Sequence, residues 1–202
     1  VFRVTLASDR SVDVTISSPS ALITAAIQST CGSMASELKC GWGFPTRLRL
    51  RSVPAGTYYL IVASTDPAGD VTVSLTTGPP VAPEPNETCA SPTELLDGVA
   101  VSDSLVDVRD DVAIPCGFYR DLVYHFALTS VEDVRITATS ALGDALNVGL
   151  ETTCGDRASA RRCVNGNPAD WTEHSLGPGD NFVIVEAYAE TDFTGQVGFA
   201  PP

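Results

Sequence analysis

CGSMASELKC, at residues 31–40, has a related counterpart in CGDRASARRC, at residues 154–163. Each stretch holds two cysteines separated by eight residues, and the two share the opening Cys-Gly, an internal Ala-Ser and the closing cysteine. We refer to each stretch as a cysteine loop. Self-similarity at a fixed period is the mark of a duplicated structural unit, so the two loops predict an internal repeat in this chain of 202 residues.

The rest of the sequence aligns around the two cysteine loops, which lie 123 positions apart. A shift of 122 positions aligns VFRVTLASDRSVDVTI, beginning at Val1, with VYHFALTSVEDVRITA, beginning at Val123. Further on, a three-residue insertion in the second copy aligns GDVTVSL (69–75) with GQVGFAP (195–201). We therefore predict a tandem repeat with a period of about 125 residues.

The two predicted repeats differ in length. We assign residues 1–77 to the first, 87–202 to the second, and 78–86 (GPPVAPEPN) to a stiff linker, because proline cannot contribute to a regular hydrogen-bond ladder. The second repeat has about 36 residues before Val123 that have no counterpart in the first. We therefore expect the first repeat to lack its N-terminal strands.

Both repeats show the period-two pattern of β-strands. Phe2, Val4 and Leu6 alternate with smaller or polar residues, and the same alternation recurs in VYHFAL. Short strands separated by Gly/Pro turns such as PAG and GPG predict an antiparallel β-sandwich. The predicted fold is all-β: tandem, jelly-roll-like antiparallel sandwiches.

Composition excludes several classes of function. The formal net charge of −13 argues against nucleic-acid binding, which depends on basic side chains that neutralise phosphates. No apolar run reaches the roughly 18–20 residues that a membrane helix needs, so we expect a chain that does not span a membrane.

Six cysteines are present, and the repeat suggests how they pair. Because both copies contain the loop, its two cysteines most simply pair with each other, which predicts the disulfides Cys31–Cys40 and Cys154–Cys163 and leaves Cys89–Cys116 as the third. Zinc is the rival interpretation, but the loops lack a C-x-x-C motif and a nearby histidine. Disulfides would place the protein outside the reducing cytosol, in a secreted or cell-surface location.

The motifs NETCASPTELLDG (86–98), DLVYHFALTSVEDVRITA (121–138) and PAGTYYLIVAS (54–64), together with the cysteine loops, resemble the bacterial pre-peptidase C-terminal (PPC-like) domain in its disulfide-bearing tandem form. The resemblance implies a jelly-roll-like sandwich, secretion and a non-catalytic accessory or adhesive role. Related collagen-binding domains hold calcium with acidic and amide residues of an N-terminal linker. Glu84, Asn86 and Glu87 occupy a similar place, but no complete ligand set can be identified, so we expect no cofactor, with calcium as the alternative.

Candidate catalytic residues are scarce. The two histidines, His125 and His174, align with Arg3 and Arg51, which could not serve as a general base or metal ligand in their place. No nucleophile elbow, zinc-binding helix motif or phosphate-binding loop is present. We therefore expect the chain not to be an enzyme.

Five apolar residues are candidate contacts for a partner. Trp42 and Phe44, in GWGFP, could form an exposed stacking platform or pack over the predicted disulfide. Phe2, Val4 and Leu6 should be left exposed, beside unpaired backbone groups, if the first sandwich lacks its N-terminal strands.

Two functions fit these expectations. The first is a structural or adhesive repeat of a secreted or surface protein, joined to other copies of itself or to adjacent repeats and completed head-to-tail into a fibre by an added strand. The second is an accessory substrate- or carbohydrate-binding domain of an extracellular hydrolase.

Overall fold

The structure, a computed structural model, describes residues 1–64 and 70–202. Its contacts divide the chain into Val1–Ala82 and Pro83–Pro202, which we call the first and second units. The described residues form strands joined by turns and two short 3-10 helices. The predicted all-β class is therefore confirmed. Gly69, the first residue of the predicted GDVTVSL strand, lies outside the described residues.

The first unit is a sandwich of two antiparallel sheets. Its strands are β1 (Phe2–Leu6), β2 (Arg10–Ser17), β3 (Ile23–Gln28), β4 (Glu37–Gly43), β5 (Thr46–Val53), β6 (Gly56–Ser64) and β7 (Thr72–Gly78). One sheet has the order β1-β6-β3-β4 and the other β5-β2-β7. Ile23 and Leu60 from the first sheet meet Val14 and Leu48 from the second in one buried core.

The second unit repeats this plan with two additional strands. Its strands are β8 (Thr93–Glu94), β9 (Ala100–Ser104), β10 (Arg120–Leu128), β11 (Glu132–Ser140), β12 (Leu146–Glu151), β13 (Ala160–Gly166), β14 (Ala169–Leu176), β15 (Gly179–Ala187) and β16 (Asp192–Ala200). The sheets have the orders β13-β12-β15-β10-β8 and β14-β11-β16-β9. The short β8 runs parallel to β10, an exception to the predicted antiparallel pairing.

Strand order and register agree between the units. Phe2 on β1 faces Leu60 on β6, and in the second unit Tyr124 on β10 faces Val183 on β15. Tyr124 lies 122 positions after Phe2, and Val183 lies 123 positions after Leu60. Residues of the first unit can therefore be matched to residues of the second by their place in the sheets as well as by sequence.

The predicted alignment of the last strands is wrong. Ile16 on β2 faces Val73 on β7, whereas its counterpart Ala138 on β11 faces Gly195 on β16. Val73 therefore matches Gly195. The alignment with the three-residue insertion had matched Val73 with Phe199, four positions further on. A shift by an even number of residues keeps every side chain on its own face, so the alternating pattern could not reveal the error.

The predicted disulfide pairing is also wrong. Cys89 bonds to Cys154 and Cys116 bonds to Cys163. Cys31 and Cys40, at the two ends of the first cysteine loop, are unpaired and exposed. The cysteines of a loop therefore do not pair with each other in either unit.

Hydrogen bonds give the two cysteine loops the same shape. The Ser36 hydroxyl accepts from the Thr30 amide and donates to the Thr30 carbonyl, each at 3.0 Å, and Ser159 makes the same two bonds with Thr153 at the same distances. Each loop contains one 3-10 helix, Met34–Ser36 or Arg157–Ser159. The repeated Cys-Gly and Ala-Ser thus encode a loop geometry that needs no internal disulfide.

Candidate interaction site: the open side of the first unit

Residues 86–119 of the second unit form what we call the covering segment, since they close the side of the sandwich formed by the edges of β10 and β16. At the β10 edge the Val123 amide donates to the Asn86 carbonyl at 2.8 Å, and the Asp121 amide donates to the Arg109 carbonyl at 2.9 Å. The segment also contributes β8, which pairs with β10 at Tyr124. The β10 edge is thereby supplied with hydrogen-bond partners.

The covering segment also closes the second sheet and the core between the sheets. Its strand β9 pairs with β16 over five residues, from Ala100 to Ser104. Leu95, Leu105 and Val108, all buried, join Tyr124 in the main core of the second unit. The segment therefore supplies both ladder partners and core side chains.

A further part of the covering segment crosses the outer face of the five-stranded sheet. Val112 and Ile114 form a small buried cluster there with Val123 and Ile184. A Cβ added at Gly149 would lie 2.9 Å from Cγ2 of Ile114, so the glycine leaves room for the isoleucine. The segment's two cysteines, through their disulfides, fix this part to the cysteine loop of its own unit.

The first unit has no covering segment among its described residues. Within residues 1–64 and 70–82, β1 pairs only with β6, and β7 pairs only with β2. Because β1 and β7 match β10 and β16 in register, the two open edges flank the side that the covering segment closes in the second unit. We call this the open side of the first unit.

Apolar side chains are uncovered at the open side. Phe2 is 45% exposed, whereas its counterpart Tyr124 is 1% exposed. Val4 is only partly buried, and its counterpart Phe126 is fully buried. The sequence led us to expect exposure of Leu6 as well, but Leu6 is buried within its own unit at the far end of β1.

The outward-facing backbone groups of β1 can be identified from the second unit. There the His125 carbonyl accepts from the Leu95 amide of the covering segment at 2.7 Å. Arg3 matches His125, so the amide and carbonyl of Arg3 face the open edge, while those of Val4 face β6. An edge of this kind can accept a strand from another chain.

Trp42 and Phe44 lie away from the open side. Trp42 is on β4, at the opposite edge of the four-stranded sheet from β1, and Phe44 follows that strand. Both side chains are 61% exposed. Packing over a Cys31–Cys40 disulfide, one of the two predicted roles, is excluded because that disulfide is absent.

The acidic linker predicted as a calcium position contains a structural asparagine. Asn86 is fully buried, and its Nδ2 donates to Oδ2 of Asp103 at 3.4 Å, the same oxygen that accepts from the Tyr124 hydroxyl at 2.8 Å. Glu84 and Glu87 are half-buried. Within residues 1–64 and 70–202 no three His, Cys, Asp or Glu side chains converge in a way that could hold a metal ion.

Two carboxyl groups are enclosed beneath the covering segment. Asp121 and Glu186 face each other across β10 and β15 and are fully buried. Burial, with the neighbouring acid Asp110 adding to it, raises the pKa of Asp121 to about 7 and that of Glu186 to about 8. Backbone groups of Ile114 and Tyr119 oppose the rise in the pKa of Glu186, but neither carboxyl oxygen of Glu186 has a partner in hydrogen-bond geometry among the residues that the structure describes. This pair was not predicted from the sequence.

The histidines are held by carboxylates on the strand surfaces. Nδ1 of His125 lies 2.6 Å from Oε2 of Glu94, and its Nε2 lies 3.0 Å from Oδ1 of Asp180. Partial burial lowers the pKa of His125, but the two carboxylates outweigh this effect and raise it. His174 contacts Asp133 at 2.6 Å in the same manner.

Comparison with known proteins gives similarity of fold to solved structures. No protein-family model matches the chain, and no curated protein matches it. Among solved structures it is similar to the pre-peptidase C-terminal domain of a collagenase from Bacillus anthracis, with a TM-score of 0.41 and 17% sequence identity over 53% of this chain and 94% of that chain. None of the helices in the described part of the chain is both long and apolar enough to cross a membrane.

Proposed function

We propose that the chain is a non-catalytic structural or adhesive repeat of a secreted or cell-surface bacterial protein, in which the covering segment of an adjacent repeat completes the first unit. The observation that carries this proposal is the open side of the first unit. In the described part of the first unit, the sheet edges β1 and β7 lack the partners that β10 and β16 have in the second unit.

The second unit indicates what the added segment supplies. It brings backbone groups to the β1 edge and apolar side chains to the open core beside Phe2 and Val4. Covering apolar surface contributes roughly 25 cal/mol per Å², and backbone pairing gives direction and register to the contact. Strand addition is therefore favourable at this surface and specific for a segment with the apolar pattern of residues 93–108.

Such completion joins unlike surfaces. The donor is a covering segment and the acceptor is an open side, so the contact is heterologous. The covering segment at residues 86–119 is already held by its own unit, so the donor must be a further segment of this kind. Where each repeat carries one, successive contacts of this type build a filament unless the rotation between repeats closes a ring. This geometry supports a fibre or surface array as the assembled form.

The disulfides support an extracellular location. Cys89–Cys154 and Cys116–Cys163 would be reduced in an ordinary cytosol, whereas secreted and surface proteins retain such bonds.

The experiment that tests this proposal measures binding of a covering-segment peptide to the full chain. The fluorescent peptide carries residues 86–119 with Cys89→Ser, Cys116→Ser and Ile114→Ala, the last because Ala26 of the first unit stands where the second unit has Gly149. Fluorescence anisotropy should show saturable binding with one peptide per chain.

Variants locate the binding surface. Val4→Asp places a charge at the open core and Arg3→Pro removes an outward amide while leaving the β1–β6 ladder intact, so each should weaken binding at least about tenfold. The matched control Phe44→Asp, which adds the same charge at an exposed site away from the open side, should leave affinity unchanged. Absence of peptide binding, or binding that Val4→Asp does not alter, would contradict the proposal.

A second candidate function rests on the exposure of Trp42 and Phe44. Two exposed aromatic rings near one sheet edge are suited to stacking on sugar rings, as in an accessory carbohydrate-binding domain. Titration calorimetry with soluble polysaccharides decides this alternative. Binding that Trp42→Ala abolishes and Val4→Asp leaves unchanged would support it over strand completion.

A further inference from the structure

Cys31 and Cys40 occupy the same structural positions as two disulfide-bonded cysteines of the second unit. Cys40 faces Ala26 across β4 and β3, as Cys163 faces Gly149 across β13 and β12. Cys31 opens the first cysteine loop, as Cys154 opens the second. The serine hydrogen bonds and the strand register therefore place Cys31 and Cys40 at the backbone positions that are disulfide-bonded in the second unit.

In the second unit both cysteines of the loop bond to the covering segment. Cys154 pairs with Cys89 and Cys163 pairs with Cys116, across sequence separations of 65 and 47 residues. The cysteine loop is therefore a two-point attachment site for a covering segment. The first unit has such a loop, with both cysteines exposed and unpaired, at the β4 edge of the sheet opposite its open side. In the second unit the covering segment spans the same distance by crossing the outer face of the sheet to the cysteine loop.

We infer that Cys31 and Cys40 are the receiving thiols of two disulfides that join the first unit covalently to the segment that completes it. Cys31 bonds to the cysteine at the place of Cys89, and Cys40 bonds to the cysteine at the place of Cys116. This inference rests on the proposed function, because it requires that a covering segment from an adjacent repeat binds to the open side.

The chemistry requires a thiol oxidant, for which a small-molecule disulfide such as oxidised glutathione is sufficient. A thiolate of one partner attacks the small disulfide, giving a mixed disulfide and releasing one glutathione thiol. The thiolate of the other partner then displaces the second glutathione, and the protein disulfide forms. Each bond takes two electrons and two protons from the two protein thiols and reduces one oxidised glutathione to two thiols, so the two bonds consume two equivalents.

The structure also specifies the donor. It must carry two cysteines at the spacing of Cys89 and Cys116 and apolar residues at the places of Leu95 and Leu105. At the place of Ile114 it must carry a smaller residue, because Ala26 has the Cβ that Gly149 lacks and that Cβ would lie 2.9 Å from the isoleucine. The covering segment of the second unit is therefore not an ideal donor for the first unit of another copy.

The test uses the full chain with its own disulfides intact and a ¹⁵N-labelled peptide of residues 86–119 that carries Ile114→Ala and keeps both cysteines. After incubation in a glutathione redox buffer, mass spectrometry of a non-reduced digest identifies links between the labelled peptide and the chain. Links from Cys31 to peptide Cys89 and from Cys40 to peptide Cys116 should exceed the exchanged pairing at least about tenfold. A Cys31→Ser variant should lose the first link and retain the second.

The outcomes separate this inference from the proposed function. If the cysteine-free peptide binds at the open side but the links are scrambled, absent or replaced by an internal Cys31–Cys40 bond, the covalent inference is wrong and strand completion stands. If neither peptide binds, both are wrong. Links with the expected pairing that Val4→Asp suppresses, because it blocks docking of the segment, would support both.

Discussion

The first and second units have matching registers in their paired strands but differ in how those sheets end. As far as the first unit is described, its sheets end at β1 and β7, whereas in the second unit the matching strands β10 and β16 each pair with a further strand of the covering segment. Phe2 is consequently exposed where Tyr124 is buried. The comparison shows that the seven shared strands specify their own pairing, while closure of the core depends on a segment outside them.

The cysteine loops differ between the units in the same way. Their hydrogen bonds are alike, but only the second loop is cross-linked, and each of its bonds leads to the covering segment. The loop cysteines are thus disulfide-bonded in the unit with a covering segment and unpaired in the unit whose described residues include none. Variants that act on one unit and spare the matched position in the other test this relation.

Removal of a disulfide should produce the largest difference between the units. Replacing Cys116 and Cys163 together by serine should lower the free energy of unfolding of the second unit by about 4 kcal/mol, since the bond closes a long loop in the unfolded chain. The matched change in the first unit, Cys31→Ser with Cys40→Ser, removes no disulfide, so it should change the free energy of unfolding little in the chain alone. Urea denaturation followed by the fluorescence of buried Trp171, in a Trp42→Phe background, measures the second unit separately. Equal losses in both pairs of variants would contradict the comparison.

Truncation of a core side chain in the covering segment should have the next largest effect. Leu105 is fully buried among residues of both sheets, so Leu105→Ala should destabilise the second unit by about 2–4 kcal/mol. Leu96, which is 59% exposed on the same segment, provides the control, and Leu96→Ala should cost less than about 0.5 kcal/mol. The same urea titration applies. A small effect of Leu105→Ala would mean that the segment is not part of the core.

The pH dependence of stability should also distinguish the units. The pKa values of Asp121 and Glu186 are raised in the folded second unit, so between pH 4 and 8 the folded state binds more protons than the unfolded state. Stability should therefore fall as the pH rises from 5 to 8.5, by on the order of 1–3 kcal/mol.

Glu186→Gln removes one of these titrating groups and should reduce the fall in stability with pH. Asp144→Asn, at an exposed loop carboxyl of the same unit, is the control and should leave the slope unchanged. Urea midpoints collected across the pH range measure the effect. A second unit that gains stability on going from pH 5 to pH 8.5 would show that the buried pair is ionised.

Glycine substitutions in the cysteine loops should cause the smallest loss of stability, and the loss should be the same in the two units. Gly32 and Gly155 follow the first cysteine of each loop with φ values of +76° and +74°, a region that costs an alanine roughly 1 kcal/mol. No atom of the described residues lies within 4 Å of a Cβ at Gly32, and at Gly155 the nearest atom is the Cys89 sulfur at 3.6 Å, an ordinary contact. Gly32→Ala and Gly155→Ala should therefore lower stability to the same extent in thermal melts of the two units. A much larger loss at Gly155 would reveal strain transmitted through the disulfide.

The strands could be predicted from sequence because alternation is a local property. Phe2, Val4 and Leu6 belong to one strand whatever lies beside it, and the same holds for VYHFAL. The cysteine pairing could not be predicted in this way, because Cys89 and Cys154 meet only when the covering segment crosses the folded sheet. One signal was present: the segment absent from the first repeat carries two cysteines, the same number as each loop.

The buried carboxyl pair escaped prediction for a related reason. Asp121 and Glu186 lie on the outward face of the five-stranded sheet, where alternation predicts contact with water. The covering segment encloses that face, and a strand pattern contains no information about a segment that packs over it later. The open side itself was predictable, because it followed from the difference in length between the two repeats.

The two disulfides also determine how the second unit responds to a mechanical load. When the chain is pulled from points on either side of this unit, the tension passes from Cys89 directly to Cys154 and bypasses residues 90–153. At about 3.6 Å for each extended residue, roughly 230 Å of contour length is withheld from extension. Residues 90–119 of the covering segment and strands β10 to β12 therefore bear no tension even after the remaining strands have separated. An overstretched second unit retains the elements from which its sandwich can reassemble when the load is released.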